Sequence, residues 1–287
     1  MSEALEKIRK LVAMQEEKNP AYRAVLDFYK KIAEARNNLQ ASLNITMAGI
    51  SEEMKTIQTR EGFPLIGHED FVIDIPSSVS LFESLCRIGK EATEKMNINI
   101  QALEEALAIN AFNLKEALRR HSDESYLNRI AEEFDVDKPI FQFLIHMSIQ
   151  PSLEANVERL KERVDLKNWL RGYCPVCGSP PLMSELKGDG QRFFQCSFCG
   201  FHWPGERLKC PFCENRDHSK LHYFYEEKKE AYRVDLCDNC MQYIKTVDSR
   251  KLGYQPDIIL EDILTTHLDI LASGKGYKRP VPSPWGL

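Results

Sequence analysis

No apolar run in this 287-residue sequence approaches the roughly 20 residues a membrane-crossing helix needs. A Gly-rich phosphate loop is missing, and so is any Ser-His-Asp arrangement that would mark a nucleophilic enzyme. Positive charge is not in surplus: 43 acidic residues outnumber 38 Lys and Arg, for a formal net charge of -5. That balance argues against nucleic acid as a partner, which relies on a cationic surface. The opening residues Met1-Ser2-Glu3-Ala4-Leu5-Glu6-Lys7 are charged and helix-forming rather than a cleavable export signal. The expected compartment is therefore a reducing cytoplasm. Cysteine is nearly absent outside one stretch, Cys86 being the lone example before Cys174. The rest is ordinary: 43% hydrophobic and 28% charged residues describe a globular chain long enough for one large or two ordinary domains.

The other eight of nine cysteines fall between Cys174 and Cys240. They form four Cys-x-x-Cys knuckles: Cys174-Pro-Val-Cys177, Cys196-Ser-Phe-Cys199, Cys210-Pro-Phe-Cys213 and Cys237-Asp-Asn-Cys240. Two intervening residues let both sulfurs of a knuckle face one tetrahedral ion, and a second knuckle completes the shell. Four knuckles predict two four-thiolate sites. The segments between them repeat a plan of knuckle, hairpin, knuckle. Pro181 to Lys187, the turn Gly188-Asp189-Gly190 and Arg192 to Gln195 form the first hairpin. Leu221 to Tyr225, a charged turn at Glu226 to Glu230 and the alternating Tyr232 to Leu236 form the second. Tyr243 to Val247 reads as a third strand of the second ribbon. The natural grouping is Cys174, Cys177, Cys196 and Cys199 in one site and Cys210, Cys213, Cys237 and Cys240 in the other. Swapped pairing stays open, because Cys199 and Cys210 are close in sequence.

Other uses of cysteine fit less well. A disulfide scaffold requires a secreted chain. A thioredoxin-like site needs one pair beside a βαβ unit, and none is visible. Ion binding remains, with a structural role for both ions, since a short ribbon has little core of its own. No thiolate is replaced by an open position, so hydrolytic metal chemistry is not indicated. Zinc and iron both accept four thiolates, and the choice stays open.

From the start to about residue 170 the chain reads as helical. Leu5, Ile8 and Val12 make one stripe that stops near Asn19-Pro20; Val25, Phe28, Ile32, Leu39 and Leu43 make a second. Residues 63–76 form an irregular connection. Ser80 with Glu83 is a candidate capping box for a third helix, and Asn99 a candidate cap for a fourth. Further helices are expected at Leu114 to His121, Ser125 to Phe134, Pro139 to Ile149 and Ser152 to Trp169. A single C-terminal helix opens at Pro256-Asp257 and ends at Gly274. The proline-rich tail from Arg279 to Trp285 either docks as an extended arm or stays mobile. Cys86 and His146 are read as core residues and His68-Glu69-Asp70 as a solvated loop. Trp203 is read as apolar cover for the ribbon. His218 and His222 flank the second hairpin, whose thiolates already complete a shell. One rival class is a nucleic-acid-binding zinc ribbon, with Arg192, Phe193, Phe194, Lys209, Tyr223 and Tyr225 as an aromatic-basic platform. Another is a rubredoxin-like redox protein.

The run Tyr173-Cys174-Pro175-Val176-Cys177-Gly178-Ser179-x-Pro181 resembles the first knuckle of the formate dehydrogenase accessory protein family, FdhE. So do Cys196-x-x-Cys199-x-x-x-Trp203, Lys209-Cys210-Pro211-x-Cys213 and Cys237-Asp238-x-Cys240-x-x-Tyr243-x-Lys245, with the region from Asp262 to Gly276. The resemblance implies an α plus small β fold. A helical domain at 1–170 precedes two rubredoxin-like modules at 171–207 and 208–250, with a C-terminal helix and tail at 251–287. It also implies iron as the bound metal, with zinc as the alternative. The implied role is a cytoplasmic, non-catalytic one in maturing formate dehydrogenase, through contact with its molybdenum- or tungsten-containing catalytic subunit.

Overall fold

The computed structural model describes residues 3–39, 43–46, 56, 60–225 and 230–283. The chain divides into two compact units, one of residues 1–47 and 68–156, the other of 48–67 and 157–285. Among the described residues no helix is long and apolar enough to cross a membrane.

The first unit is helical. Its elements are α1 (Glu3–Lys18), α2 (Arg23–Leu39), α3 (Ile75–Lys90), α4 (Glu94–Ala108), α5 (Leu114–Arg119), α6 (Glu124–Glu133) and α7 (Lys138–Leu160) up to Asn156. Helix α1 packs on α2, α2 on α3, and α3 on α4 and α5. Leu26, Ile32, Leu81, Leu85, Ile100, Leu103, Leu118 and Phe141 are the fully buried centre. Cys86 is buried beside them, and desolvation pushes its thiol up to about 12, as for a small apolar residue. On α2 the buried stripe is Leu26, Tyr29, Ile32 and Ala33, one position on from the expected Val25 and Phe28.

Three boundaries differ from the sequence reading. Helix α3 starts at Ile75, capped by Asp74, whose carboxylate accepts from Ser77 N–H. Pro76 supports that earlier start because the first turn needs no N–H there, which leaves Ser80 inside the helix. Helix α4 is capped by Thr93 instead of Asn99. Asn99 lies buried in the helix, where its amide donates to Lys95 O at 2.8 Å and accepts from Asp137 N–H at 2.6 Å. Helix α7 runs through Pro151 as one element and stops at Leu160. Burial of Phe141, Leu144, Ile145 and Leu153 on it offsets the roughly 3 kcal/mol that an interior proline costs. Trp169 lies beyond the helix and donates its indole N–H to Tyr173 O at 2.8 Å.

The second unit is built on one six-stranded sheet, in the order β3-β2-β1-β6-β5-β4. The strands are β1 (Pro181–Lys187), β2 (Gln191–Cys196), β3 (His202–Gly205), β4 (Leu221–Tyr225), β5 (Tyr232–Cys237) and β6 (Gln242–Asp248). The expected hairpins are present, each extended by a third strand. Of the charged turn, residues 226–229 lie outside the described residues. The two ribbons are not separate sheets. Strands β1 and β6 pair in parallel, with Ser184 opposite Thr246 and Leu186 opposite Asp248. Both strands are buried along nearly their whole length, as central strands should be.

One face of this sheet is covered by α8 (Ile258–Leu264) and α9 (Thr266–Gly274). Val234, Leu236 and Tyr243 pack with Leu268 and Ala272, and Met183 and Val247 pack with Ile258. The single C-terminal helix expected here is broken at Thr265, whose hydroxyl donates to Glu261 O at 2.6 Å. The tail docks as an extended arm through residue 283; Trp285 lies outside the described residues. Lys278 N–H donates to Met241 O at 2.9 Å, and Tyr243 N–H to Lys278 O at 3.1 Å. Arg279 then enters a buried ionic network. Lys245 Nζ lies 2.8 Å from Asp262 and 2.6 Å from Asp269, and Arg279 lies 2.6 Å from Asp262. Tyr243 OH donates to Asp269 at 2.8 Å and Ser283 Oγ to Asp262 at 2.8 Å. Two cations and two carboxylates thus balance beneath the sheet.

Candidate metal centres

Each knuckle closes the same way. The backbone turns back after its second cysteine, and the next residue takes a left-handed conformation: Gly178 at φ 79°, Gly200 at 74°, Glu214 at 61° and Met241 at 55°. The turns carry the hydrogen bonds Gly178 N–H to Cys174 O (2.9 Å), Glu214 N–H to Cys210 O (3.1 Å) and Met241 N–H to Cys237 O (2.8 Å). Glycine adopts that conformation without a Cβ penalty, whereas Glu214 and Met241 each bear about 1–2 kcal/mol of it. Another glycine is fixed by close approach: a Cβ on Gly172 would sit 1.8 Å from Pro211 O, the proline of the third knuckle.

The turns gather the eight thiols into two groups, Cys174, Cys177, Cys196, Cys199 and Cys210, Cys213, Cys237, Cys240, each with its sulfurs within 4.8 Å of one another. This is the sequential grouping, not the swapped one. In the first group the separations Cys174–Cys199, Cys177–Cys196 and Cys177–Cys199 are 3.7, 3.5 and 3.6 Å. In the second, Cys210–Cys240 and Cys213–Cys237 are 3.8 and 3.6 Å. A tetrahedron with metal–sulfur bonds of about 2.3 Å has an edge of about 3.8 Å. Disulfides, at about 2.05 Å, are ruled out by the same distances. Four sulfurs at this spacing suit one tetrahedral ion per group, and such a donor set accepts zinc or iron alike.

The groups differ in their surroundings. All four cysteines of the first are buried; in the second Cys213 and Cys240 are partly exposed. Residues 62–66 cover the first: Leu65 N–H donates to Pro175 O, Ile66 N–H to Val176 O, and Tyr173 OH to Gly62 O, at 2.9, 3.0 and 2.6 Å. Donors to sulfur are backbone N–H groups in the first, from Phe198 and Cys199 to Cys196 at 3.4 Å. In the second, side-chain amides of Asn239 and Asn215 lie 3.5 Å from Cys213 and 3.9 Å from Cys237. Desolvation pushes the Cys174 thiol well above its ordinary range and Cys210 up to about 11. Cys213 goes the other way. Burial raises it, but the Asn239 amide and Asn215 N–H bring it down to about 7.

Neither His218 nor His222 joins a group; His222 Nε2 instead lies 3.0 Å from Asp238 Oδ2. His68 lies in a short 3-10 turn, and its carbonyl is 3.1 Å from His121 Nε2. Desolvation holds the His146 imidazole down to about 4, as expected for a core histidine. Trp203 is fully buried, tilted against Phe194 at 5.5 Å between ring centroids, and donates to Arg171 O at 3.3 Å. The aromatic-basic platform of the nucleic-acid reading does not form. Arg192, Phe194 and Lys209 are buried, Arg192 against Asp235 at 3.1 Å and Lys209 against Leu170 O at 2.9 Å.

Fold and site together define a protein with a helical unit and one ribbon sheet carrying two four-cysteine groups able to hold metal ions. Residues 173–207 match the family model "FdhE, central domain" and residues 208–285 match "FdhE, C-terminal domain". "Protein FdhE homolog" of Aquifex aeolicus (strain VF5) is 29% identical over 274 residues, 93% of this chain and 89% of that one. "Protein FdhE" of Escherichia coli O127:H6 is 32% identical over 121 residues, 40% of this chain and 38% of that one. The crystal structure of the FdhE protein from Pseudomonas aeruginosa shares the fold, with a TM-score of 0.70 over 98% of this chain and 94% of that one at 20% identity. Residues 173–285 thus match the two FdhE domains, and the chain is similar to an FdhE homologue over nearly its whole length.

Proposed function

We propose that this protein is a non-catalytic, cytoplasmic accessory factor in the maturation of formate dehydrogenase, and that it binds the molybdenum- or tungsten-containing catalytic subunit. The observation that carries this reading is the pair of four-cysteine groups, at tetrahedral spacing, inside the residues that match the two FdhE domains. Cys174, Cys177, Cys196 and Cys199 hold one ion and Cys210, Cys213, Cys237 and Cys240 the other. The family resemblance favours iron, with zinc as the alternative. A bound ion supplies folding free energy to ribbons with little core of their own. The knuckle loops are then presented at low entropic cost to a partner that is not yet complete.

The test is a pull-down of the tagged full-length protein from its own host grown on formate, read by mass spectrometry, with metal analysis of the same eluate. Enrichment of the formate dehydrogenase catalytic subunit, with two ions per chain, is the expected outcome. Enrichment of ribosomal or transcription proteins, or of an unrelated redox enzyme, would overturn the proposed client.

A further inference from the structure

The sheet face opposite α8 and α9 holds a cleft of about 260 Å³, close to the lower bound of about 300 Å³ for small-ligand pockets. Tyr225, Arg233 and Thr246 are cross-strand neighbours on β4, β5 and β6 and share this face. Tyr223, two residues before Tyr225, stands on the same side, and the two rings stack at 6.2 Å with an interplanar angle of 20°. Both are largely exposed, at 59% and 49%. Arg207, from the segment after β3, lines the cleft as well.

The charges lining the cleft do not cancel. Arg250 is engaged by both oxygens of Asp248 at 2.7 Å, and Lys251 lies 3.1 Å from Glu230. Arg207 is left over, and Arg233 shares the single carboxylate of Asp235 with the buried Arg192. The guanidinium of Arg233 lies 5.1 Å from the Tyr223 ring centroid. Its buried Nε is 3.1 Å from Asp235 Oδ1 yet has no hydrogen-bond acceptor. The other oxygen of Asp235 is taken by Arg192 and Thr246. Arg207 makes no hydrogen bond or ion pair among the described residues. Two positive charges therefore stand in surplus, on planar groups that bind oxyanions through paired N–H donors.

We propose that this cleft binds a small phosphomonoester, with Arg207 and Arg233 on the phosphoryl oxygens and Tyr223 and Tyr225 against the organic part. A phosphomonoester carries about -1.5 to -2 charges at neutral pH, which matches the surplus; a monocarboxylate does not. This site is independent of the thiolate groups and of the formate dehydrogenase reading. Calorimetric titration of the full-length protein with phenyl phosphate, inorganic phosphate and benzoate tests it. Phenyl phosphate should bind saturably, more tightly than inorganic phosphate and far more tightly than benzoate. Arg207→Ala, at an exposed position, should weaken phenyl phosphate about 10- to 100-fold with an unchanged melting temperature. Arg233→Gln should do the same, provided its melting temperature is also unchanged. Absence of saturable binding, equal affinity for benzoate, or an Arg207→Ala variant that binds like the parent would each overturn the assignment.

Discussion

The two thiolate groups follow one plan and are protected to different degrees. The first is sealed: four buried cysteines, glycines at both left-handed positions and the 62–66 segment hydrogen-bonded over its leading knuckle. The second faces water through Cys213 and Cys240, and Glu214 and Met241 occupy the conformations that glycine fills in the first. It stands instead beside the Lys245–Asp262–Asp269–Arg279 network, which fastens β6 to both C-terminal helices and the tail. The first ribbon closes its four cysteines off from water; the second leaves two of its own partly exposed and has the ionic network beneath it.

That contrast is sharpened most by removing one thiolate from each side. Cys177→Ser should unfold the β1–β2–β3 ribbon and yield little soluble protein, since a structural four-thiolate ion is worth on the order of 10 kcal/mol to a small domain. Cys213→Ser should lose one ion and loosen β4 and β5 while the first group keeps its own. Metal analysis with thermal melts separates the two. If both variants behave alike, the asymmetry is wrong.

Next in size is the ionic network. Lys245→Met should cost about 3–5 kcal/mol in urea unfolding, because Asp262 and Asp269 stay buried with only Arg279 to face. Its metal content should not change. Loss of the second ion with it would mean that the network and the thiolate shell are one cooperative element.

Glu261 gives a pH test on the same side of the sheet. Desolvation raises its carboxyl to about 7, although Tyr232 and Tyr254 donate to it at 2.7 and 3.1 Å. The folded state thus holds a proton that the unfolded chain releases above about 4.5, so stability falls as pH rises from about 4.5 to 7 and levels off beyond. Glu261→Gln should flatten that slope and stabilise the protein at pH 8 by on the order of 3 kcal/mol, read from denaturation midpoints across the range. An unchanged slope would sink the assignment.

The smallest effects lie at the left-handed positions. Gly200→Ala should cost about 1–2 kcal/mol, whereas Met241→Gly should be neutral or gain up to about 1 kcal/mol. Paired melts decide it, and a Met241→Gly variant less stable than the parent would show that the Met241 side chain contributes packing of its own.

Cysteine spacing made the site legible: two residues between thiols and a hairpin between knuckles are local facts, and local facts survive into the fold. The strands at Pro181 to Lys187 and Leu221 to Tyr225 were equally plain, because alternation and turn residues mark them. The fusion of the ribbons was not, since the parallel pairing of β1 with β6 joins residues about sixty positions apart with no turn to announce it. Helix starts failed where two polar residues competed as caps: Ser80 and Asn99 fit the pattern, but Asp74 and Thr93 carry the bonds. The role of Gly172 and the cover from residues 62–66 depend on tertiary approach alone. The left-handed position after each knuckle did have a signal, glycine at 178 and 200, which Glu214 and Met241 conceal in the second half.

The most direct measurement is timed release of metal from the purified full-length protein to excess chelator. Two ions per chain should leave in two phases of one equivalent each, with the faster phase missing from Cys213→Ser and the slower one retained. A single phase carrying both ions, or a folded protein that binds fewer than two, would contradict that expectation.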